Sequence, residues 1–396
     1  RDYAVLKPQL MPAVLDSWRR VAANADLVLV EGAGSPAEVN LRDHDLANMG
    51  FAEAADLPVI IVGDVERGGV IAALVGTHRL LTLSERQRVK AYIINRFRGD
   101  VRLFDGAIAR IGSETGWESL GILPWLEKAR LLPAEDSLSL VKGAGTVVAG
   151  SGRIRIVVPI LPHGANLDDL DPLRAEPRVE LILVPSGVPL PAEAELVILS
   201  GSKSTLSDLA SLRREGWDGD LRGLYRRGTR ILGLCGGYQM LGQTIADPDG
   251  LEGTAELAPV PGLGLLAVET RLNPHKTIRT VQGMAGGVFG ESGLTGYEIH
   301  LGVSTGKDCA RPLFPGLEAD FPASAGATSA CGRIMGSYLH GLFSSDGFRH
   351  QFLRQIAPEF SSHLDYERQV ERSLDSLADL LATHVDCERI LNLARA

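Results

Sequence analysis

Cysteine is scarce in this sequence. Its 396 residues hold four, Cys235, Cys309, Cys331 and Cys387, with no C-x-x-C pair among them. That scatter argues against a disulfide framework or a structural zinc site and suits a reducing, cytoplasmic setting. Aromatic residues make up only 5%, too few for an aromatic binding surface. Positive charge is not in excess. The 40 Lys and Arg stand against 49 Asp and Glu, a net charge of −9, so nothing suggests a nucleic-acid partner. Apolar runs such as residues 57–62 and 196–199 are far shorter than the roughly 20 residues a membrane helix needs, and no signal peptide is visible. An initiator methionine is missing at Arg1, and so is a Walker A loop, G-x-x-x-x-G-K-[ST], anywhere in the chain.

What remains is ordinary globular material, 45% hydrophobic and 22% charged. At about 150 residues per domain the length predicts two or three domains. The first part alternates short apolar runs with helix-length polar stretches: Ala25-Asp-Leu-Val-Leu-Val-Glu-Gly, Leu57-Pro-Val-Ile-Ile-Val-Gly-Asp, Val89-Lys-Ala-Tyr-Ile-Ile-Asn and Leu120-Gly-Ile-Leu-Pro. Strands this apolar predict a parallel sheet covered on both faces. Ligands of such sheets sit beyond the carboxyl ends of the strands, where Glu31, Asp64 and Asn95 fall. An acid in that position holds Mg²⁺ beside a nucleotide phosphate in many NTPases; capping of the following loops is the plainer alternative. Glycine- and proline-marked residues 133–152 predict a boundary between a domain over 1–150 and another over 151–396. The second part predicts strands from Arg153, over 179–184 and 195–199, from Arg230, over 263–270 and 296–302, and from Gly332 to the neighbourhood of His340. From Asp346 the pattern turns helical.

The most informative stretch is residues 229–243, T-R-I-L-G-L-C-G-G-Y-Q-M-L-G-Q. An apolar strand, a glycine turn around Cys235 and a helix-like continuation make the layout of a nucleophile elbow. A buried structural cysteine is the alternative. A cysteine nucleophile needs a base. His340, near the end of a strand and followed by Gly341, fits better than His300 in Gly296-Tyr-Glu-Ile-His-Leu-Gly. An oxyanion needs two fixed donors. The N–H of Gly236 is the natural first, and the Gly201-Ser202 loop could bring the second.

Gly233-Leu-Cys-Gly-Gly-Tyr-Gln with Tyr338-Leu-His-Gly resembles the triad-type (class I) glutamine amidotransferase domain. The first part carries Val30-Glu-Gly-Ala-Gly-Ser-Pro-Ala-Glu, Asn48-Met-Gly-Phe-Ala, Val62-Gly-Asp-Val-Glu-Arg-Gly-Gly and Asn95-Arg-Phe-Arg-Gly-Asp. These resemble the dethiobiotin-synthetase-like ATPase half of the glutamine-hydrolysing cobyric acid synthase family, and Leu199-Ser-Gly-Ser-Lys-Ser-Thr and Gly296-Tyr-Glu-Ile-His-Leu-Gly match further motifs of it. The resemblance spans the chain. It implies an α/β protein with two parallel or mostly parallel sheets, an incomplete P-loop NTPase domain over 1–150 and a class I amidotransferase domain with a helical tail over 151–396.

It also implies a function in cobalamin biosynthesis. Adenosylcobyrinic acid a,c-diamide would be amidated at its b, d, e and g carboxylates to adenosylcobyric acid, with glutamine as nitrogen donor and ATP and Mg²⁺ in the synthetase domain. Carried over by residue, Cys235 attacks glutamine, His340 is its base, Gly201 and Gly236 hold the oxyanion and Gln239 helps hold glutamine. Asn95 serves adenine recognition and Glu31 the metal, while Asp64 sits near the metal or the carboxylate. A homo-oligomer is left open. Leu342 stands where many triad enzymes have Glu, so a Cys–His dyad or an acid from elsewhere is expected. The family's first strand and P-loop precede the motifs present, so a truncated chain is expected. Such a chain could be synthetase-inactive, a relic with residual glutaminase or corrinoid binding only.

Overall fold

The computed structural model describes residues 2–132, 153–253, 258–322 and 325–395. The chain forms two compact units, Arg1–Ala129 together with Ser373–Ala396, and Arg130–Arg372. The expected boundary region, residues 133–152, lies outside the described residues.

In the first unit β1 (Val59–Asp64), β2 (Val89–Phe97) and β3 (Glu118–Pro124) form an all-parallel sheet in the order β1-β2-β3. Side chains alternate along β2, so its two faces feed two cores. Tyr92 and Ile94 pack with Val70, Leu74 and Ile111. Ala91 and Ile93 pack with Leu120, Leu123, Val385 and Leu393. The second group corrects the expected placement of the tail. The end of helix Tyr366–His384 and helix Cys387–Arg395 belong to the first unit, because Leu380, Leu381 and Ile390 cover the apolar face that the sheet would otherwise expose. Gly121, at φ 140°, lets the chain at His384 press onto β3, and Asp386 N–H donates to Leu120 O at 2.8 Å.

The first expected strand does not form. Residues 25–32 carry no strand, and Leu27, Leu29 and Val30 are 40%, 79% and 49% exposed. An apolar run becomes a strand only when a neighbour takes its backbone N–H and C=O groups. Among the described residues no strand pairs with this run, nor with the outer edge of β1.

The second unit holds a six-stranded sheet and a five-stranded one. Its strands in chain order are β4 (Ile154–Pro159), β5 (Gly164–Ala165), β6 (Val179–Val184), β7 (Leu196–Leu199), β8 (Gly201–Ser202), β9 (Arg230–Leu234), β10 (Thr244–Ala246), β11 (Val260–Pro261), β12 (Glu269–Met284), β13 (Gly293–Thr305), β14 (Ala327–Thr328), β15 (Ile334–Ser337) and β16 (Leu339–His340). The larger sheet runs β14-β15-β9-β7-β4-β6 and is parallel except for β14 at its edge. Ile156, Ile198 and Leu232 face one core, and Val157, Val197 and Ile231 face the other. The five-stranded sheet, β11-β10-β12-β13-β16, is antiparallel apart from β10 against β12. Two expectations shift here. Residues 263–268 are a loop before β12, and the strand expected to carry His340 changes sheets at Tyr338, between β15 and β16.

Candidate active site

β9 runs directly into Cys235, whose backbone takes φ 51° and ψ −109°. That conformation is costly for a residue with a Cβ and persists only where its surroundings enforce it. Here Cys235 N–H donates to Ser337 O of β15 at 2.8 Å, and Cys235 O accepts from Gln239 N–H at 3.1 Å. The flanking glycines permit the packing. A Cβ on Gly237 would run into the carbonyl of Leu199, and one on Gly236 would lie 2.9 Å from Ser202 N. The elbow expected from the sequence is therefore formed, with a buried thiol whose S–H donates to Ile299 O at 3.5 Å.

His340 reaches the same place from β16, where it pairs with Tyr297 of β13. The ring is completely buried, as is almost all of Asp169. Its Nδ1–H donates to Asp169 Oδ2 at 2.7 Å, and Gly341 N–H donates to the other carboxylate oxygen at 2.6 Å. Tyr297 stacks on the imidazole with centroids 5.3 Å apart and planes at 23°, and its hydroxyl accepts from Asn166 Nδ2 at 2.9 Å. A Cβ on Gly201 would come 3.4 Å from His340 Cε1. Burial alone would make the imidazole less basic. The hydrogen bond and charge of Asp169, followed by Cys235, outweigh it and raise the pKa to about 10. His340 Nε2 has no hydrogen-bond partner of ordinary geometry among the described residues. Asp169 and the nearby Cys235 thus favour the protonated form of the ring.

Asp169 is the acid that sequence reasoning left open. It lies in the short helix Leu167–Leu170, in the segment that follows β4, 171 positions before His340. The signal available was an acidic cluster, Asp168, Asp169 and Asp171, soon after the carboxyl end of an apolar strand. The competing histidine, His300, is also buried, but its Nδ1–H donates to Gly302 O and its ring stacks on Tyr338 at 3.8 Å. Gln239 is buried and its amide is engaged within the protein. Its Oε1 accepts from Thr205 at 3.1 Å, and its Nε2 donates to Leu301 O at 2.9 Å and to Tyr338 Oη at 3.2 Å.

The sequence-predicted groups of the first unit are held differently. Asp64 and Asn95 are register partners at the carboxyl ends of β1 and β2. Asp64 is bound by the guanidinium of Arg96, including a 3.1 Å bond from Nε, and by Glu66 N–H at 3.0 Å. Arg96 hydrogen-bonding keeps that carboxyl below the usual range. Asn95 Oδ1 accepts from Arg96 N–H at 2.8 Å, and Arg96 sits in the left-handed region at φ 61°. Glu31 is exposed in the segment that forms no strand. Among the described residues no three His, Cys, Asp or Glu side chains converge as a metal set. Asp64 is paired with Arg96, and Glu31 stands apart from it in the exposed segment 25–32.

Two families match this chain. Residues 155–348 match the CobB/CobQ-like glutamine amidotransferase domain, and residues 9–130 match the AAA domain. A cobyric acid synthase of Rhizobium johnstonii is 54% identical over 98% of this chain and 77% of its own length. That of Rhodobacter capsulatus is 53% identical over 100% of the chain and 79% of its own length. The chain belongs to the cobyric acid synthase family. As a member of the cobyric acid synthase family it is an enzyme, a glutamine-hydrolysing ligase with an amidation role in cobalamin biosynthesis. Glutamine and a corrinoid are the substrates implied, and the AAA-type first unit fits nucleotide binding. Among solved structures, PurLQS from Thermotoga maritima has a TM-score of 0.38 at 17% identity, covering 52% of this chain and 99% of that one. No helix among the described residues is long and apolar enough to cross a membrane.

Proposed function

We propose that Cys235, His340 and Asp169 form the glutaminase of an ATP-dependent corrinoid amidase. The observation that carries it is the buried Asp169–His340 pair beside a cysteine held at positive φ. The Cys235 thiolate attacks the glutamine carboxamide carbon, and the oxyanion is received by the N–H groups at Gly236 and Gly201. His340 gives its proton to the departing nitrogen, so the C–N bond breaks as ammonia leaves and a thioester remains. The now neutral ring takes a proton from water, whose oxygen attacks the thioester; glutamate leaves and Cys235 regains its proton or its ion pair. Asp169 holds the ring orientation throughout. Gln239 shapes the glutamine pocket through Thr205 and the Leu301 carbonyl.

The ammonia acceptor in this proposal is adenosylcobyrinic acid a,c-diamide, at its b, d, e and g carboxylates. A carboxylate oxygen takes the γ-phosphoryl of ATP with release of ADP, and ammonia then displaces phosphate and loses a proton to leave the amide. Asn95 lies on the nucleotide side of this reaction. Support comes from family membership and from Asp64 and Asn95 standing together at the strand ends. Glutamate release from glutamine tests the first half. Activity is expected in the wild type and absent in Cys235→Ala, and an equally active variant would remove Cys235 as the nucleophile. Mass spectrometry of the corrinoid after incubation with Mg-ATP, glutamine and the a,c-diamide tests the second; unchanged corrinoid beside rapid glutaminase turnover would confine this chain to the first reaction.

A further inference from the structure

One completely buried carboxylate near the elbow has no place in the steps above. Asp208 lies in the first turn of helix Thr205–Arg214 and is fully enclosed. Its Oδ1 accepts from the backbone N–H of His163 and meets His163 Nδ1, both at 3.0 Å. Its Oδ2 accepts from Ser202 Oγ–H at 2.6 Å. The contacts continue on both sides. Ser202 Oγ accepts from Ser204 N–H at 3.0 Å, and Lys203 N–H donates to His163 O at 2.9 Å. β5 pairs with β8, Gly164 opposite Ser202 and Ala165 opposite Gly201.

The two segments clipped together in this way have distinct duties. The loop at residues 200–204 carries Gly201, which stands against His340, and Ser202, which abuts Gly236. The loop at residues 163–166 ends in Asn166, which binds Tyr297 and leads directly into the helix holding Asp169. Burying a carboxyl group is costly unless fixed hydrogen-bond partners satisfy it. Asp208 therefore has a strong preference for the one loop arrangement that supplies those partners. We infer that Asp208 is a positioning residue of the glutaminase, which fixes the oxyanion-binding loop against the lead-in to Asp169. This rests on the glutaminase reading of the Cys235 site. The Asp208 side chain bonds His163 and Ser202 rather than Cys235, and it acts by holding Gly201 where charge develops, an effect confined to the transition state.

Two reactions of Cys235 separate this role from general damage to the fold. Hydrolysis of glutamine passes through an oxyanion, whereas alkylation by iodoacetamide displaces iodide from carbon and forms none. Asp208→Leu is expected to lower kcat for glutamine by about 10²-fold, the scale of a lost oxyanion donor, with KM within about threefold and the alkylation rate of Cys235 within about twofold. Asp208→Asn, which keeps one acceptor, is expected to recover about a tenth or more of wild-type kcat. Ser202→Ala, which removes a single link, should fall between Asp208→Leu and wild type. Unchanged kcat in Asp208→Leu overturns the inference. So does an equal loss of hydrolysis and alkylation, which would mark Asp208 as a support of the fold alone. If wild type and Cys235→Ala release glutamate equally, the glutaminase reading itself fails, a result distinct from either.

Discussion

At the carboxyl end of β9, Cys235, His340 and Asp169 are buried, with Asp169 hydrogen-bonded to His340 and Cys235 near enough to help raise the ring's pKa. At the carboxyl ends of β1 and β2, Asp64 and Arg96 meet partly in solvent, with side chains 32% and 42% exposed, and neutralise each other. The same strand-end geometry thus carries two electrostatic strategies. A buried group cannot rely on water, so each partner must be supplied by the fold in a fixed orientation. An ion pair near the surface has weak net strength and can exchange for another ligand at small cost. The first arrangement suits chemistry on a neutral amide, whose oxyanion appears only in the transition state. The second suits a highly charged nucleotide that brings its own counterions.

Removing the acid should break this contrast most sharply. In Asp169→Asn an amide faces His340 Nδ1 and Gly341 N–H, and the carboxylate that chiefly raises the ring's pKa is gone. The amide can accept from only one of those donors, so the ring loses its orientation or its charge. Glutaminase kcat should fall by about 10³-fold or more, and the titration of His340, followed by NMR, should move well below 10. Wild-type kcat in Asp169→Asn would reduce the site to Cys235 and His340.

Cys235 and His340 were legible as candidates because each is marked locally, Cys235 by glycines whose absent side chains admit neighbouring backbones and His340 by a strand end before Gly341. Asp169 was not, since its role arises from a contact across 171 positions and nothing in Leu-Asp-Asp-Leu distinguishes it from Asp168. Residues 25–32 misled for a related reason. Their apolar pattern satisfies the side-chain requirement of a buried strand, but pairing is decided by a second segment. The tail's helical spacing was readable, whereas the sheet that it covers was not. Amphipathic helices declare an apolar face without naming its partner.

Buried against exposed charge also predicts the cost of losing a partner. Arg349 is enclosed completely and binds Glu176 at 2.7 Å, Asp346 at 2.5 Å and the Phe343 carbonyl at 2.6 Å. Arg349→Met should destabilise the second unit by about 3–5 kcal/mol, because Glu176 is left as an uncompensated buried charge. Urea unfolding would measure it, and a loss below about 1 kcal/mol would mean that Glu176 finds water or another partner.

The pH dependence of stability should run in opposite directions at the two sites. His340 has a folded pKa near 10 against an ordinary 6.5, so its contribution is complete below pH 6.5 and disappears as pH rises through 10. The loss is on the order of a few kcal/mol and should be much smaller in Asp169→Asn. Asp64 is shifted downward, so its contribution is present above its unfolded value of 3.8 and is lost as pH falls through the depressed folded value. Urea midpoints measured from pH 3 to pH 10.5 on wild type and Asp169→Asn would separate the two. An alkaline loss of equal size in both proteins would disconnect it from the Asp169–His340 pair.

The smallest effect is expected at Arg96, where two consequences of one substitution oppose each other. Arg96→Gly removes an ion pair to Asp64 that is partly in solvent and a weaker one to Glu66 at 3.2 Å, together worth about 1 kcal/mol or less. It also relieves a non-glycine residue at φ 61°, a strain of about 1 kcal/mol. Thermal unfolding of the first unit should therefore change by less than about 1 kcal/mol, even though this residue makes more charged contacts than His340 does. A loss of 3 kcal/mol or more would show that the Asp64–Arg96 pair is held as rigidly as the Asp169 site, and the contrast between the two strand ends would no longer stand.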